Sequence, residues 1–172
     1  MIRDVVPADS TAIAKIYNHY VERTDITFET ELIDPSEMLE RIQSTLSRDF
    51  PWIVKLNDAE EVVGYAYADL WRKRIAYRCS VESAIYVSCD QVGKGFGKSL
   101  YEALLDRLQE SGNIHVVIGV IAVPNEASVG LHRRLGFKEG GLYREVGRKF
   151  DRWVDVQTLQ LQMEDWRADE AV

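Results

Sequence analysis

The sequence predicts one domain of the mixed α/β class, with about seven strands in a sheet and about four helices around it. Apolar side chains recur at helical spacing in some segments and form short continuous runs in others, and these segments alternate along the chain. The 172 residues can bury one core but not two, and neither a repeat nor a linker divides them. We therefore assign residues 1–166 to the domain and residues 167–172 to a frayed C-terminal tail.

The first half of the chain alternates between amphipathic stripes and short branched or aromatic runs. Asp9 is placed to cap the first helix, and Pro35 stands where the first turn of the second helix needs no N–H donor. A polar turn after Leu56 joins two strand-like runs into a hairpin. The predicted elements are a strand at 2–5, a helix from Asp9, a helix from Pro35 to Leu46, and strands at 52–56 and 62–70.

The second half contains the strongest strand and helix signals. Residues 81–88 are rich in branched and aromatic side chains, and residues 115–123 form the continuous apolar run of a central strand. Ser111-Gly112 and Gly136 are expected helix ends. The predicted elements are strands at 81–88, 115–123, 137–147 and 153–163, a helix that buries Phe96, Leu100, Leu104 and Leu108, and a short helix after Asn125.

Composition excludes several classes of protein. The net charge of −7 argues against nucleic acid as a main partner, since phosphate binding needs a basic face. No window approaches the ~18 apolar residues of a membrane span, and the acidic N-terminus is not a signal peptide. Cys79 and Cys89 show no metal-binding spacing, so we expect no metal, no disulfide and a cytoplasmic location.

The segment VGKGFGK, residues 92–98, has three alternating glycines between the best strand and a strong helix. Glycines let successive amides turn toward one point, and a helix N-terminus adds positive potential, so the segment predicts a diphosphate site. A nucleotide P-loop would need glycine in place of Val92, and a dinucleotide fingerprint would need glycine in place of Lys98. A plain strand-to-helix turn stays open as an alternative.

This segment resembles the acetyl-CoA loop of the GCN5-related N-acetyltransferases (GNAT family), Q/R-x-x-G-x-G/A between a strand and a helix. The matching glycines are Gly95 and Gly97, and Val92 departs from the Q/R position. The resemblance implies a mixed, mostly antiparallel sheet and acetyl-CoA as co-substrate. The residues that it assigns to cofactor binding are Ile85, Tyr86, Val87, Val92, Gly93, Lys94, Gly95, Phe96, Gly97, Lys98, Asn125 and Ser128.

The segment NEASVGLHRRLGF, residues 125–137, is similar to the next family segment, N-x-x-[SA]-x-x-L-Y-x-x-x-G-F. Helical geometry places Asn125, Ser128 and His132 on one face. A second face carries Ala127, Leu131 and Leu135, which we expect in the core. In the family the asparagine contacts the pantetheine arm and a tyrosine protonates the leaving thiolate. That implies His132 as general acid, with a structural histidine as the alternative.

Residues 71–88 and 24–31 are similar to phosphinothricin and methionine sulfoximine acetyltransferases, in which the glutamate of V-E-S is the proposed base. That residue here is Glu82. Strand alternation puts Glu82 on one face with Ala84 and Tyr86, and burial there would raise its pKa and strengthen it as a base. A structural pair with Arg78 is the alternative.

The predicted chemistry is direct transfer of acetyl to the α-amine of a small amino acid or analogue. A main-chain N–H between residues 85 and 87 would stabilise the oxyanion. The segment RKRIAYR, residues 72–78, is a basic connector that would bind the acceptor's carboxylate through arginine forks, although a solvated surface is equally open. The residues assigned to acceptor binding are Arg72, Arg74, Tyr77 and Arg78. Cys89 has no neighbouring base in the sequence and is not expected to be a nucleophile.

Three other interpretations remain at this stage. The acceptor could be a polyamine or a protein N-terminus. The chain could bind acyl-CoA without catalysis, in which case Glu82 and His132 would have no role. A P-loop phosphotransferase would require Mg²⁺ and ATP. The resemblance also suggests a homodimer, with aromatic segments near residues 24–30 and 143–153 as candidate contacts.

Overall fold

A computed structural model describes residues 1–163, so residues 164–172, which include the predicted tail and the end of the predicted domain, lie outside the described residues. Seven strands form one sheet in the order β1-β2-β3-β4-β5-β7-β6. Only β4 and β5 pair in parallel, and every other neighbouring pair is antiparallel. The predicted fold class, a mixed and mostly antiparallel sheet with four helices, is confirmed.

The elements follow the predicted order closely. Three single-turn 3₁₀ segments, at Pro7–Asp9, Ile75–Tyr77 and Cys89–Gln91, precede α1, β4 and the glycine loop. The strands are β1 Ile2–Asp4, β2 Trp52–Leu56, β3 Val62–Leu70, β4 Ser80–Val87, β5 Val116–Val123, β6 Lys138–Lys149 and β7 Arg152–Gln162. The helices are α1 Ser10–Arg23, α2 Pro35–Leu46, α3 Phe96–Ser111 and α4 Glu126–Arg134.

The sheet separates two apolar clusters. On one face α3 and α4 pack against the centre of the sheet, where Leu100 and Leu104 of α3 share a buried cluster with Val81 and Ala66. On the other face α1 and α2 cover an aromatic surface that includes Trp52 and Tyr65. Both clusters follow from strand alternation, because successive side chains of β3 and β4 point to opposite faces. Among residues 1–163, no helix is long and apolar enough to cross a membrane.

Strands β4 and β5 diverge after a short paired stretch. The parallel register runs from Ser80↔Val116 to Ser83↔Gly119 and stops there. The next four residues of β4 keep their pairing with β3 but have no partner on the other side. A wedge-shaped gap therefore opens in the middle of the sheet.

Two local predictions hold only in part. Asp9 is the N-cap residue of α1, as predicted, but its side chain makes no capping bond, because its carboxylate binds Arg3 in bidentate fashion at 2.7 and 2.8 Å and accepts from Val6 N–H. The buried face of α4 is formed by Val129 and His132, whereas Ala127 is exposed. Leu131 and Leu135 are only half-buried at the edge of the core. The polar face of α4 therefore turns inward, toward the sheet.

Candidate active site

The gap between β4 and β5 forms a cleft of about 290 Å³ that passes through the sheet. Its walls come from both faces, because the β4 residues from Glu82 to Tyr86 alternate in direction along the opening. On the α1 and α2 side the lining residues are Tyr17, Ile26, Thr27, Phe28, Tyr67, Glu82, Ala84, Tyr86, Val120 and Ala122. Toward α4 the lining residues include Ser83, Ile85, Ile121, Asn125, Ser128 and His132.

Glu82 is the carboxylate of this cleft. Burial raises the pKa of Glu82, the charge of Asp69 raises it further, and Arg72 opposes the shift. No described residue forms an ion pair with Glu82, so the alternative of a pair with Arg78 is not what the structure contains. Glu82 is half-buried, and a half-buried carboxylate without an ion-pair partner is a stronger base than an exposed one.

An aromatic wall surrounds the Glu82 side of the cleft. Tyr86 stands edge-on to Tyr17, with ring centroids 5.2 Å apart, and stacks on Tyr65 at 5.3 Å. Tyr67 stacks on Trp52 with centroids 4.1 Å apart. Burial raises the pKa of Tyr67 and of Tyr86, so both phenols stay protonated at neutral pH. The wall is therefore rigid, largely apolar and uncharged.

Residues 24–30 cover the aromatic side of the cleft. The β6–β7 hairpin holds this segment in place through a hydrogen bond and a packing contact. The buried Lys149 ammonium donates to Thr27 O at 2.8 Å, and burial lowers the pKa of Lys149. Thr27 Oγ1 is 2.7 Å from Tyr17 Oη. A methyl group on Gly147 would come within 3.0 Å of the Phe28 ring, so a larger residue at this position would displace that ring.

A buried hydrogen-bonded chain lies behind the opposite wall. Ser83 Oγ is 2.7 Å from Tyr101 Oη, and Tyr101 Oη is 3.0 Å from His132 Nε2. His132 Nδ1 lies 2.8 Å from Ser128 O. The imidazole ring packs so closely on β5 that a Cβ at position 119 would clash with it, which explains Gly119.

The partners of His132 fix its tautomer. Ser128 O can only accept, so Nδ1 carries the proton and Nε2 accepts from Tyr101 Oη. Burial lowers the pKa of His132, so the ring is neutral at pH 7. Both ring nitrogens are used by protein groups, and His132 has no nitrogen free to protonate a substrate. The arrangement does not support the predicted general acid and favours the structural alternative.

The glycine loop presents unpaired main-chain donors. Among residues 1–163, no acceptor binds the main-chain N–H groups of residues 92–98, and α3 begins without a side-chain cap. Gly93 and Gly95 have φ of 87° and 80°, and nothing lies within 4 Å of a Cβ built on either, so backbone conformation explains their identity. Together these donors suit a diphosphate, and the residues present fit the predicted acetyl-CoA.

The open edge of β4 adds donors deeper in the cleft. Ser88 N–H bonds to Val63 O, and Ser80 O accepts from Trp71 N–H, so even-numbered residues of β4 bond toward β3. The main-chain groups of Ile85 and Val87 therefore turn toward the gap. Val87 O already accepts from Tyr20 Oη at 2.5 Å, which leaves the N–H groups of these residues for a ligand.

Asn125 and Ser128 lie at the start of α4, where the cleft narrows. Asn125 is the N-cap, and its Oδ1 accepts from Ser128 N–H at 3.1 Å. This bond holds the side chain so that its amide nitrogen remains available as a donor. Val92 is 59% exposed at the outer end of the loop and offers only its main chain to a ligand. Lys94 and Lys98 are exposed beside it and bond to Gln91 and Glu102.

The basic connector lies outside the cleft. Its predicted acceptor-binding residues are exposed, and none of them lines the cavity. Arg72 is the member whose charge reaches Glu82, and its guanidinium stacks on Trp71 with the central carbon 4.4 Å from the ring centroid. Cys89 is exposed and also stands outside the cleft lining. The predicted acceptor-binding residues of the connector are Arg72, Arg74, Tyr77 and Arg78.

Sequence reasoning missed several residues of the site. Tyr67 and Val120 were read only as strand residues, and Tyr101 and Lys149 were given no role, yet they line or support the cleft. A buried lysine is rare unless it has a partner, but lysine in a sequence carries no mark of burial. Strand alternation offered a partial signal, since it places Tyr67 on the same face of β3 as Asp69. The register of β3 and β4 then shows that this is also the face of Glu82.

Comparison with known proteins agrees with this site. The acetyltransferase (GNAT) domain family matches residues 2–157. The chain is 42% identical to a phosphinothricin N-acetyltransferase of Streptomyces coelicolor over 158 residues, covering 90% of this chain and 91% of that protein. It is 38% identical over 167 residues to an L-methionine sulfoximine/L-methionine sulfone acetyltransferase of Pseudomonas paraeruginosa, covering 97% and 96% of the two chains.

A solved structure extends the agreement to three dimensions. The phosphinothricin acetyltransferase of Sinorhizobium meliloti in complex with AcCoA superposes with a TM-score of 0.95 at 35% identity, covering 100% of this chain and 94% of that one. The family match, the two relatives and this superposition span almost the same residues as the sheet and its cleft. The chain therefore belongs to the GNAT family of acetyltransferases.

Proposed function

We propose that the protein is an acetyl-CoA-dependent N-acetyltransferase that acts on the α-amine of a small amino acid or analogue. One observation carries the proposal. Strand β4 brings the half-buried carboxylate Glu82 into a cleft through the sheet, turns the N–H groups of Ile85 and Val87 into the same cleft, and leads into the free amides of residues 92–98. Base, oxyanion donors and diphosphate site thus follow one another along one strand.

The residues of β4 have separate tasks in this reaction. When bound, acetyl-CoA supplies an acetyl group activated as a thioester. Glu82 removes a proton from the acceptor, since an α-amine with a pKa of ~8 is largely protonated at neutral pH. The N–H groups at the open edge of β4 donate to the thioester oxygen and stabilise the negative charge that develops there. The main-chain N–H groups of residues 92–98 would hold the diphosphate of acetyl-CoA. The side-chain amide of Asn125 would donate a hydrogen bond to its pantetheine arm.

The acceptor side of the cleft favours a small molecule with a neutral side chain. Ile26, Phe28, Val120 and Val156 line it together with the tyrosine wall, and Glu82 is the only acidic residue among the lining side chains of residues 1–163. We propose that the basic connector at the rim of the cleft binds the acceptor's carboxylate. Within the connector, Arg72 is the residue whose charge acts on the pKa of Glu82. We expect Arg72→Gln to raise the KM of an amino acid more than that of a polyamine.

His132 is assigned a supporting role. It fixes the position of α4 against β5 through Ser128, Tyr101 and the close approach to Gly119. We therefore expect the leaving thiolate to take its proton from solvent or from the acceptor's own ammonium, by way of Glu82.

The test is an assay of CoA release with a panel of amino acids, polyamines and peptides, run on the wild type and on Glu82→Gln. We expect turnover with small amino acids or their analogues, and a loss of ~10²-fold or more in kcat for the variant. Calorimetry should give the same acetyl-CoA Kd for both proteins. Glu110→Gln, which removes an exposed carboxylate on α3, is the control. Unchanged kcat in the Glu82 variant would show that Glu82 is not the base.

We also infer the setting in which the enzyme works. The two cysteines are free, and net charge −7 disfavours nucleic acid, which supports a cytoplasmic enzyme that handles small molecules. The β6–β7 hairpin exposes Leu142, Tyr143, Val146, Phe150 and Trp153 next to the half-exposed Phe28. Large exposed apolar side chains on one hairpin support a homodimer in which the hairpin forms the contact.

A further inference from the structure

A second carboxylate stands directly opposite Glu82. In the antiparallel pair of β3 and β4, Asp69 is the register partner of Glu82, and even-numbered residues of β4 bond toward β3. Such partners have Cβ atoms ~5 Å apart with their side chains on the same face. Like charges in this position are unfavourable, so the arrangement has to be compensated by another group.

The compensating group comes from α2. Arg48, which follows the last turn of α2, donates to both oxygens of Asp69 at 2.8 and 2.7 Å. The Asp69 carboxylate also accepts from Leu70 N–H at 2.6 Å and from Thr45 Oγ1 at 3.3 Å. Asp69 is therefore held in a fixed position opposite Glu82, with the positive charge of Arg48 directly against its carboxylate.

The other neighbours of Glu82 leave Asp69 as the nearest fixed charge within the sheet. On β5 the partner of Glu82 is the apolar Ile118. The phenols of Tyr17 and Tyr67 face it from α1 and β3, and both are neutral. His132 borders the same cleft as a neutral ring, and Arg72 approaches from the exposed connector.

We propose that the Arg48–Asp69 pair is a positioning element that controls how strongly Glu82 holds a proton during catalysis. The pair acts through Glu82 and does not touch the substrate. The inference rests on the proposed function, since it takes Glu82 as the base. Asp69 strengthens Glu82 as a proton acceptor, and Arg48 limits that effect so that Glu82 still releases the proton near neutral pH.

The two partners should shift the pH profile in opposite directions. Asp69→Asn removes a negative charge and leaves Arg48 unneutralised, so the acidic limb of kcat/KM should move to lower pH by ~0.5–1 unit. Arg48→Gln leaves the Asp69 charge uncompensated, so the limb should move to higher pH by a similar amount. Asp106→Asn, which removes the same charge from the far face of α3, should leave the limb in place. A merely structural role would lower activity without opposite shifts.

A second readout does not depend on turnover. The ¹³C carboxyl resonance of Glu82, assigned by its loss in Glu82→Gln, is titrated in each protein. Opposite displacements of the Glu82 titration midpoint in the Asp69 and Arg48 variants support the proposal. A midpoint that stays in place in both variants overturns it, even if Glu82→Gln is inactive and the proposed function stands. If Glu82→Gln keeps full activity, Glu82 is not the base, and the same titration still decides whether the pair governs the proton affinity of Glu82.

Discussion

At the scale of single residues, Glu82 shows a conflict between function and stability. Burial raises its pKa, so the folded protein binds the Glu82 proton more tightly than the unfolded chain does. Protonation of Glu82 therefore contributes to the free energy of unfolding. This contribution is fully present below the ordinary pKa of glutamate and is lost as the pH rises through the raised pKa of Glu82 in the folded protein. At neutral pH the folded protein therefore holds an unfavourable buried charge, which the chemistry requires.

Replacing this residue should make the protein more stable. We expect Glu82→Gln to raise Tm at pH 7, because the amide carries no charge to desolvate. The gain should shrink as the pH falls and vanish below pH ~4, where Glu82 is protonated in both folded and unfolded states. Differential scanning calorimetry of both proteins across this range measures the effect. A lower Tm for the variant at pH 7 would mean that Glu82 makes stabilising contacts as an anion.

Single residues also mark a limit of sequence reasoning. Helical spacing placed His132 beside Asn125 and Ser128, and the structure keeps these residues at one end of the cleft. The partner that decides the state of its ring, Tyr101, lies 31 residues away on another helix. Local periodicity carries no information about such a partner, so the protonation state of His132 could not be predicted.

At the scale of elements, the bounds of helices and strands were largely predictable. Apolar periodicity and the glycine and proline signals located α2, α3 and β5 within a residue or two. The divergence of β4 from β5 was not predictable, because it depends on where α4 packs under β5. Strand pairing is a non-local property, and the cleft exists only because this pairing stops early.

The glycine loop gives a prediction with a matched control in the same helix. Gly95 before α3 and Gly112 after it both have positive φ, 80° and 68°, and a Cβ on either would meet nothing within 4 Å. Alanine at either position should destabilise the fold by a similar amount, about 1–2 kcal/mol. Only Gly95→Ala should weaken acetyl-CoA binding, by ~10-fold or more in calorimetry. Equal affinities in the two variants would contradict a main-chain diphosphate site.

The clamp on segment 24–30 can be tested on β6. Gly147→Ala should displace the Phe28 ring, which a new methyl group would overlap, and so disturb the acceptor side of the cleft. We expect a higher KM for the acceptor with little change in the Kd of acetyl-CoA. Gly141→Ala on the same strand is the control, since its Cβ would meet Thr158 Oγ1 at an ordinary 3.7 Å. Steady-state kinetics of both variants measures the KM of the acceptor, and calorimetry measures the Kd of acetyl-CoA.

At the scale of the whole molecule, an early and a late segment of the chain meet at the acceptor side of the cleft. Lys149 and Thr27 are 122 residues apart in sequence and joined by one buried hydrogen bond. Apolar patterning predicted the α/β class and the order of elements, and the resemblance to a known family added a mixed, mostly antiparallel sheet. Neither predicted this contact, because a contact between distant segments leaves no periodic signal in either segment.

The exposed hairpin predicts an oligomeric state. Tyr143 and Trp153 are 54% and 62% exposed on adjacent strands, an unusual position for large aromatic side chains in a monomer. We expect light scattering to give twice the mass of one chain, and the variant Tyr143→Glu, Trp153→Glu to shift that mass toward the monomer. The double variant should keep its secondary structure by circular dichroism. A wild-type monomer at micromolar concentration would rule out this interface.

The cleft that pierces the sheet also constrains the order of events in turnover. Because the donor loop and the aromatic wall open on opposite faces, both substrates can occupy the enzyme at once without competing for one entrance. No cysteine lines the passage to store the acyl group between half-reactions. Double-reciprocal plots should therefore intersect, the signature of a ternary complex, and parallel lines are not expected.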